Sequence, residues 1–468
     1  MASELLTAWM LSQKPQASIM KNEPLFYRNL EETLDIKRKN NALLSIKRCL
    51  WKDGGSAIDF TSNDTLSLGS SGMLRREFDK EIQKHPDLML GSTSSRLVDG
   101  NSVYLEQVER EIADFHGAEQ GLFVASGFEA NLAVFTALPT PATILVYDEL
   151  VHASMYDGMA RSPATTRRAF RHNDVDALRD TLTELHEENQ EVRGGKQCVI
   201  IVVESVYSMD GDICPLAEFV DIAREMFPHK NVEFIVDEAH STGVLGKKGA
   251  GLVCDLGLEK EIAVRVHTFG KAVSAAGAII LGNQTIRTAL TNLARSIIYT
   301  TAPAASVVAT VRAAYNLMNS GKTIDAQDRI QSLAAHFFTS ISSNPTWKEA
   351  TSRGIMTIPL AENWSDRPYQ THIIPISTRN NYSMYLACHL VFAGFTSFFA
   401  EYPTVPKGQS RVRLALHSCN TEEQIYQLII SICEWAKEMI AIEDGEAIYR
   451  VPAATRKILA SIEKEDNN

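Results

Sequence analysis

Short apolar runs alternate with amphipathic segments along this chain, and the alternation predicts a sheet of mostly parallel strands covered by helices. Uninterrupted apolar runs bounded by polar turns are typical of strands that are buried on both faces of a sheet. Apolar residues spaced three or four positions apart are typical of helices that bury one face. The runs of strand length are residues 121–125, 143–147, 198–203, 234–236 and 262–266. The amphipathic segments are residues 104–116, 175–188 and 215–226. The predicted fold class is therefore α/β.

The pattern changes after Gly321, where strands and helices no longer alternate regularly. A mixture of this kind predicts a smaller α+β domain. The helices expected there are residues 323–342, 382–392 and 421–442, and the strands are residues 355–360, 372–376 and 411–416. An Ala- and Val-rich helix over residues 303–318 is expected to connect the two domains. The predicted division is an N-terminal arm (1–57), a large domain (58–320), a small C-terminal domain (321–445) and a tail (446–468).

Three further expectations concern the flanks of the large domain. Residues 30–49 show charge-rich helical patterning, which is typical of a packing or dimerisation helix. Residues 57–60 predict a short strand, followed by the polar turn 61–64. Residues 443–468 are rich in charge, and we expect them to form a frayed tail.

Composition excludes several classes of function. The chain has 468 residues, 45% of them hydrophobic and 22% charged, with a formal net charge of −11. An acidic chain without a basic stripe is a poor ligand for nucleic acids or anionic membranes. No apolar run approaches membrane-spanning length, and residues 1–20 show neither a secretory nor a transit pattern. The last three residues are not a peroxisomal address, so we expect a cytoplasmic protein.

The seven cysteines are scattered without a C-x-x-C pair or a cluster with histidine. This spacing argues against a zinc site and against a disulfide framework. We therefore expect reduced thiols and no metal.

Polar clusters follow the ends of the predicted strands. Lys271 follows the run 262–266, Asp237 and His240 follow 234–236, and His152 follows 143–147. In open α/β sheets ligands collect at the carboxyl edge, where a desolvated lysine can form a Schiff base with a carbonyl. A single lysine after a strand is more often a surface charge, so the prediction depends on the combination.

The combination of Lys271 with Asp237 indicates pyridoxal phosphate. A buried carboxylate needs a positive or hydrogen-bonding partner, and a protonated pyridine nitrogen is such a partner. His240 is then expected to bond the phenolic oxygen, and His152 is expected to stack on the ring. The Ser126–Gly127 turn between a strand and a helix predicts a phosphate seat at the helix N-terminus. Singly, each histidine is more often an ordinary core or surface residue.

Four motifs occur in order along the chain: Ser126-Gly127-Phe128, residues 205–211 (SVYSMDG), residues 237–243 (DEAHSTG) and Thr268-Phe269-Gly270-Lys271. Together they resemble the α-oxoamine synthase family of fold-type I, class II aminotransferase-like enzymes. The resemblance covers about residues 60 to 416, and the pattern is similar above all to 8-amino-7-oxononanoate synthases.

The resemblance implies a role for each matching residue. Lys271 would carry the cofactor as a Schiff base and remove the α-proton of the amino acid. Asp237 would keep the pyridine nitrogen protonated. Gly127 and Phe128, with Ser126 and Thr268, would seat the phosphate and ring, and Ser208 would lie beside them. Thr300 and Thr301 would reach the phosphate of a neighbouring subunit, which implies a homodimer with shared active sites. Arg413 would clamp the amino-acid carboxylate, and Asn63 would lie near the substrate.

The implied reaction is a decarboxylative condensation of alanine, serine or glycine with an acyl thioester, on coenzyme A or a carrier protein. The products are an α-amino ketone, CO2 and a free thiol. A biotin-pathway role stays open. In 8-amino-7-oxononanoate synthases an arginine holds the pimeloyl carboxylate, but the matching position in this chain falls near Leu44, where Lys47 or Arg48 would have to take its place. Thr65 also replaces a usual aromatic residue. A fatty or polyketide acyl chain is therefore the expected donor, and 8-amino-7-oxononanoate synthesis is the alternative.

Two other classes compete with the synthase. A non-catalytic scaffold subunit would lack the Schiff-base lysine, so the presence of Lys271 argues against it. A transaminase or aldolase of the same fold would exchange amino acid and keto acid without releasing a thiol.

Overall fold

A computed structural model describes residues 2–40, 42–46, 49–52, 54–379 and 382–466. Its larger sheet has seven strands in the order β1-β7-β6-β5-β4-β2-β3. Only β7 runs against its neighbours, and the other pairs are parallel. The strands are β1 (Gln120–Val124), β2 (Ile144–Asp148), β3 (Thr166–Phe170), β4 (Val199–Glu204), β5 (Val232–Asp237), β6 (Val264–Thr268) and β7 (Ala278–Gly282). The prediction of an α/β fold with a mostly parallel sheet is confirmed.

A smaller antiparallel sheet of four strands lies in the C-terminal third, in the order β10-β11-β9-β8. Its strands are β8 (Met356–Thr357), β9 (Ile373–Thr378), β10 (Phe398–Ala400) and β11 (Arg411–Ala415). Its core contains the fully buried Trp435, Phe337 and Phe338 together with side chains from β9 and β11.

Helices cover both faces of the larger sheet, so its apolar strands are buried on each side. The described helices of the first half are α1 (Ala2–Ser12), α2 (Leu25–Lys39), α3 (Met73–Gln83), α4 (Val103–Phe115), α5 (Gly127–Ala137), α6 (Ala153–Ala160), α7 (Val175–Glu188), α8 (Gln190–Arg193) and α9 (Leu216–Met226). Those of the second half are α10 (Leu252–Asp255), α11 (Gln284–Leu293), α12 (Arg295–Ile298), α13 (Ala305–Asn319), α14 (Ile324–Ser343), α15 (Pro345–Ser352), α16 (Tyr382–Phe392), α17 (Glu422–Glu443) and α18 (Ala453–Asp466). None of them is long and apolar enough to cross a membrane.

Several local predictions are wrong. Residues 57–60 form no strand, because only Ile58 makes an isolated bridge, to Phe395. The helix expected over 30–49 ends at Lys39. The strand expected over 355–360 has only two residues, since a proline follows closely.

The tail is also not frayed as predicted. Helix α18 occupies residues 453–466, and its Ile458 is fully buried. Ile458 packs with Cys388 of α16, and the partly buried Leu6 and Met10 of α1 contact the same cluster. An apolar stripe in a charged segment therefore fixes the C-terminal helix against the N-terminal one.

Candidate active site

The carboxyl edge of the larger sheet holds a cavity of about 390 Å³. Asp237 is the last residue of β5, and Lys271 lies three residues beyond the end of β6. His152 lies four residues beyond β2, and all three side chains line the cavity. Neighbouring parallel strands end at the same edge, so residues far apart in sequence meet there.

Asp237 is buried, with 5% of its surface exposed. The Ala239 backbone N–H donates to Oδ1 at 2.8 Å, and the Asn131 side-chain amide donates to Oδ2 at 2.8 Å. Both donors are neutral, and no cation of the described chain lies within ion-pair distance of Asp237. A cationic ring nitrogen would complete this environment.

A hydrogen-bonded chain connects Asp237 to His152. The Asn131 amide also donates to Ser154 Oγ at 3.0 Å, and Ser154 Oγ lies 2.7 Å from His152 Nδ1. The Ser154 backbone N–H donates to the same Nδ1 at 3.2 Å. Because Nδ1 accepts these bonds, the neutral ring carries its proton on Nε2. Desolvation lowers the pKa of His152, which favours this neutral form.

Lys271 is partly exposed to the cavity, and desolvation by the surrounding protein lowers its pKa to about 8. The charges of Asp237 and Glu204 oppose the shift but do not cancel it. A substantial fraction of the amine is therefore uncharged near neutral pH. An uncharged amine is the form that attacks a carbonyl or accepts a proton.

The start of α5 provides a seat for an anion. Ser126 caps the helix by accepting a hydrogen bond from the Glu129 N–H at 3.1 Å. A Cβ at Gly127 would come within 2.3 Å of the Thr268 methyl carbon, so only glycine fits. Thr268 Oγ1 is buried without a hydrogen-bond partner among the described atoms. Phe128 lies edge-on to His152, with 6.4 Å between ring centroids.

The cavity meets the demands of pyridoxal phosphate at three points. The unpartnered Thr268 hydroxyl and the α5 N-terminus suit a phosphate. His240 lines the adjoining larger cavity rather than this one; it is buried, its Nδ1 has no partner within the described structure, and its ring can donate a bond to a phenolic oxygen. The Asp237 carboxylate suits a pyridinium nitrogen. The residues present therefore fit the cofactor.

A second cavity, of about 710 Å³, adjoins the first and shares Asn63, His152 and Lys271 with it. Arg413 of β11 lines this larger cavity and is 6% exposed. Its Nε donates to the Ser208 carbonyl at 2.6 Å, and Nη2 donates to Asn63 Oδ1 at 3.2 Å. Neither partner is charged, and burial lowers the pKa of Arg413 to about 10. A buried guanidinium without a carboxylate partner is suited to bind one.

Thr300 and Thr301 do not line either cavity of their own chain. Their segment is attached to the loop 91–100, since the Ala302 N–H donates to the Ser94 carbonyl at 2.9 Å. Their contact with a neighbouring subunit's phosphate stays a prediction. Leu44 is 89% exposed, and Lys47 and Arg48 lie outside the described residues.

Sequence reasoning missed four residues of this site. Asn131 and Ser154 orient Asp237 and His152, and the partner of each is known only from the folded structure. Glu204 ends β4 as Asp237 ends β5, a signal that was available; it is buried, and burial raises its pKa well above the usual value. His372 is buried and stacks against His240 with 5.9 Å between ring centroids.

His172 connects the two loops that carry His152 and Ser208. Its Nδ1 lies 2.9 Å from Asp148, and its Nε2 lies 2.8 Å from Asp212. Burial disfavours the imidazolium, but the bonds to the two carboxylates raise the pKa of His172 to about 10. The bridge is therefore charged at neutral pH.

Replacement of His172 with glutamine is expected to lower the melting temperature by about 4 °C at pH 7, because two charge-assisted bonds are lost. The folded-state pKa is raised, so the stabilisation is complete below about pH 6.5 and is lost as the pH rises through about 10. In thermal melts between pH 6 and 10.5, the difference in melting temperature between the wild type and His172→Gln should disappear at high pH. His229→Gln, on an exposed histidine, is the matched control. A constant difference would contradict the charged bridge.

Comparison with known proteins identifies the family to which this active site belongs. A model of the family "Aminotransferase class I and II" matches residues 56–432. Aminoacyl transferase sphA of Aspergillus fumigatus is 50% identical over 458 residues, which are 98% of this chain and 97% of that protein. The 8-amino-7-oxononanoate synthase of Emericella nidulans is 42% identical over 385 residues, covering 82% and 90% of the two chains.

Solved structures lead to the same family. Serine palmitoyltransferase from S. paucimobilis, solved with a bound PLP–myriocin aldimine, has a TM-score of 0.68 and 25% identity over 81% of this chain and 87% of that one. The 8-amino-7-oxononanoate synthase of Francisella tularensis has a TM-score of 0.62 and 27% identity, covering 82% and 98%. This chain therefore belongs to the class I and II aminotransferase family and, within it, to the pyridoxal-phosphate-dependent α-oxoamine synthases.

Proposed function

We propose that this enzyme condenses a small amino acid with an acyl thioester, releasing CO2 and a free thiol and giving an α-amino ketone. The observation that carries the proposal is the position of Lys271 at the junction of two cavities. One cavity fits the cofactor, and the other is lined by apolar side chains and by the Arg413 guanidinium, which has no carboxylate partner among the described residues. A site of this form accommodates an amino acid and a second, larger substrate together.

Each side chain has a task that its environment supports. When bound, the cofactor supplies an electron sink for the carbanion at the α-carbon. The Lys271 amine, with its lowered pKa, accepts the α-proton. Arg413 binds the amino-acid carboxylate and fixes the α-carbon near Lys271. His152, with its proton on Nε2, is the candidate donor for the later proton transfer.

The larger cavity favours an uncharged acyl chain. Phe398, Tyr402 and Val405 contribute apolar lining, and Glu149 adds a carboxylate, whereas Asp210 is paired with Arg411. Among the described residues that line this cavity, the only lysine and arginine are Lys271 and Arg413. Lys271 is assigned to the cofactor and Arg413 to the amino acid, so a terminal carboxylate on the acyl chain would find no further lysine or arginine in the described lining, and a fatty or polyketide chain is favoured over a pimeloyl chain.

The proposal also includes a homodimer with shared sites. Exposed apolar side chains cluster on the loop 91–100 and next to Thr300, where Leu97, Val98 and Tyr299 are among them. Exposed apolar patches of this kind mark association surfaces. Mixing Lys271→Ala chains with chains altered at Thr300 and Thr301 should restore part of the activity if each site uses both subunits. Sites built from one chain would give no restoration.

One assay separates the candidate reactions. The holoenzyme is incubated with carboxyl-labelled alanine, serine or glycine and with thioesters of different chain length and terminal charge, while free thiol and labelled CO2 are measured. Equal amounts of both products support the condensation. Keto-acid exchange without thiol release would indicate a transaminase. A strong preference for pimeloyl thioester with alanine would instead support the biotin-pathway alternative, which the 42% identity to the Emericella nidulans enzyme motivates.

Arg413→Lys is expected to raise KM for the amino acid by about 10- to 100-fold, because a lysine cannot reproduce a bidentate bond to a carboxylate. KM for the thioester should change little. Steady-state kinetics with one substrate varied at a time provide the measurement. Arg411→Lys is the matched control, since Arg411 is already paired with Asp210. A larger effect on the thioester than on the amino acid would contradict the role of Arg413.

A further inference from the structure

A third cavity, of about 400 Å³, lies away from the active site, between elements that pack on the larger sheet and elements of the C-terminal third. Its volume falls within the range of roughly 300–1,000 Å³ that is usual for small-molecule sites. Lys271, Asp237 and Arg413 do not line it. The apolar wall is formed by Leu216, Leu252 and Leu256 on one side and by Phe338, Leu360 and Tyr369 on the other.

Arg367 places a positive charge in this apolar wall. Its guanidinium carbon lies 5.4 Å from the centroid of the Phe338 ring. Nη2 donates to Gln370 Oε1 at 3.1 Å and to the Leu360 carbonyl, and both acceptors are neutral. No carboxylate within the described part of the chain comes within 4 Å of Arg367, and its buried Nε has no partner. A half-buried arginine without an anionic partner is unusual and suits an anionic ligand.

The described acidic residues that line the same cavity make no ion pair with Arg367. Asp212 is engaged by His172 at 2.8 Å and by the Asn173 amide at 2.7 Å. Glu218 is exposed in the first turn of α9. Because His172 is shared between Asp148 and Asp212, Asp212 keeps part of its negative charge and acts on Arg367 at longer range. Asp212 makes no ion pair with Arg367, whose guanidinium has no carboxylate in contact among the described residues.

The wall that carries Arg367 is held in place before any ligand binds. Gln331 of α14 donates to the Gln370 carbonyl at 2.7 Å and accepts from the Gln370 N–H at 2.8 Å. Across the cavity floor, the Thr371 hydroxyl donates to the Gly211 carbonyl. At the rim, the Tyr369 hydroxyl donates to Asp255. A preformed cavity avoids the entropic cost of ordering it during binding.

We propose that this cavity binds a single-chain amphiphile with an anionic head, such as a fatty carboxylate. The head pairs with Arg367, and the alkyl chain lies along Leu216, Leu252 and Leu256. Residues 208–210 line the 710 Å³ cavity that holds Arg413, which we call the substrate cavity, and residues 211–213 line the third cavity. An occupant of the third cavity therefore contacts the same segment that shapes the active site.

The test uses the holoenzyme and dodecanoate that carries a photoreactive diazirine near the end of its chain. After irradiation, the labelled peptides are identified by mass spectrometry. Saturable labelling of residues 213–218 or 252–256 is expected, with competition by dodecanoate but not by dodecanol. Labelling confined to residues 398–406 would place the fatty acid in the substrate cavity and overturn the proposal, as would unsaturable labelling.

Two variants test the head and the chain separately. Arg367→Gln should weaken dodecanoate binding at least about tenfold in calorimetric titrations, because a charge-assisted bond is lost. Ala217→Trp, on an exposed alanine of the cavity wall, should block binding by filling the space. Lys407→Gln, which removes an exposed charge near the substrate cavity, is the matched control and should bind as the wild type does. An unchanged Kd in both cavity variants would overturn the proposal.

Discussion

Replacement of Lys271 with alanine is expected to reduce thiol release by at least about 10⁴-fold, since the same amine is needed as the covalent anchor and as the proton acceptor. The purified variant should also lose the label that borohydride fixes on the wild-type chain when the cofactor is present. Lys407→Ala, on an exposed lysine near the substrate cavity, is the matched control. Thiol release within tenfold of the wild-type value would contradict the assignment of Lys271.

The environment of Lys271 adds a pH dependence to this prediction. Burial lowers the amine pKa to about 8, so the reactive uncharged form increases as the pH rises through that value. The rate at which the apoenzyme recovers its cofactor absorbance should therefore increase between about pH 7 and 9 and then level off. A midpoint near the usual lysine value of about 10.4 would show that the amine is not desolvated.

Asp237→Asn is expected to have the second largest effect, a loss of about 10²- to 10⁴-fold in turnover. Asparagine has the same shape and can still bond the Ala239 N–H, but it carries no charge to balance a protonated ring nitrogen. Turnover and retention of the cofactor during dialysis are the two measurements. The control is Glu233→Gln, which removes an exposed carboxylate from the same strand. Normal turnover in Asp237→Asn would contradict the proposal that the Asp237 charge stabilises a protonated ring nitrogen.

Local pattern predicted several of the elements that bury one clear face or two, although it missed the buried strand β7. The helix predicted over residues 175–188 matches α7 at both ends, since Asp174 caps it by accepting from the Ala177 N–H. Strand β3 was missed because its sequence, TRRAF, is polar, and as an edge strand it buries only part of its surface. Helix α18 was missed because its few apolar residues are covered by a helix from the other end of the chain.

The sequence indicated those site residues that are charged and lie at the ends of buried strands, where charged residues are rare. A carboxylate that ends one buried strand and a lysine in the turn after the neighbouring strand are both costly to bury, so each indicated function. Asn131 and Ser154 gave no such signal, because amides and hydroxyls are common in helices and their bonds to Asp237 and His152 form only in the fold. Thr300 and Thr301 lie away from the cavities of their own chain, so their role stays a prediction.

The two sheets contribute different parts of the active site. Lys271 and Asp237 follow strands of the seven-stranded sheet, whereas Phe398, Tyr402 and Val405 belong to β10 and the loop after it in the four-stranded sheet. Exchanging the segment 398–406 between relatives should therefore change which acyl chain is preferred, because Lys271 and Asp237 are left unchanged. A change of acyl donor then requires substitutions only in this short, largely exposed segment, and the catalytic groups are retained.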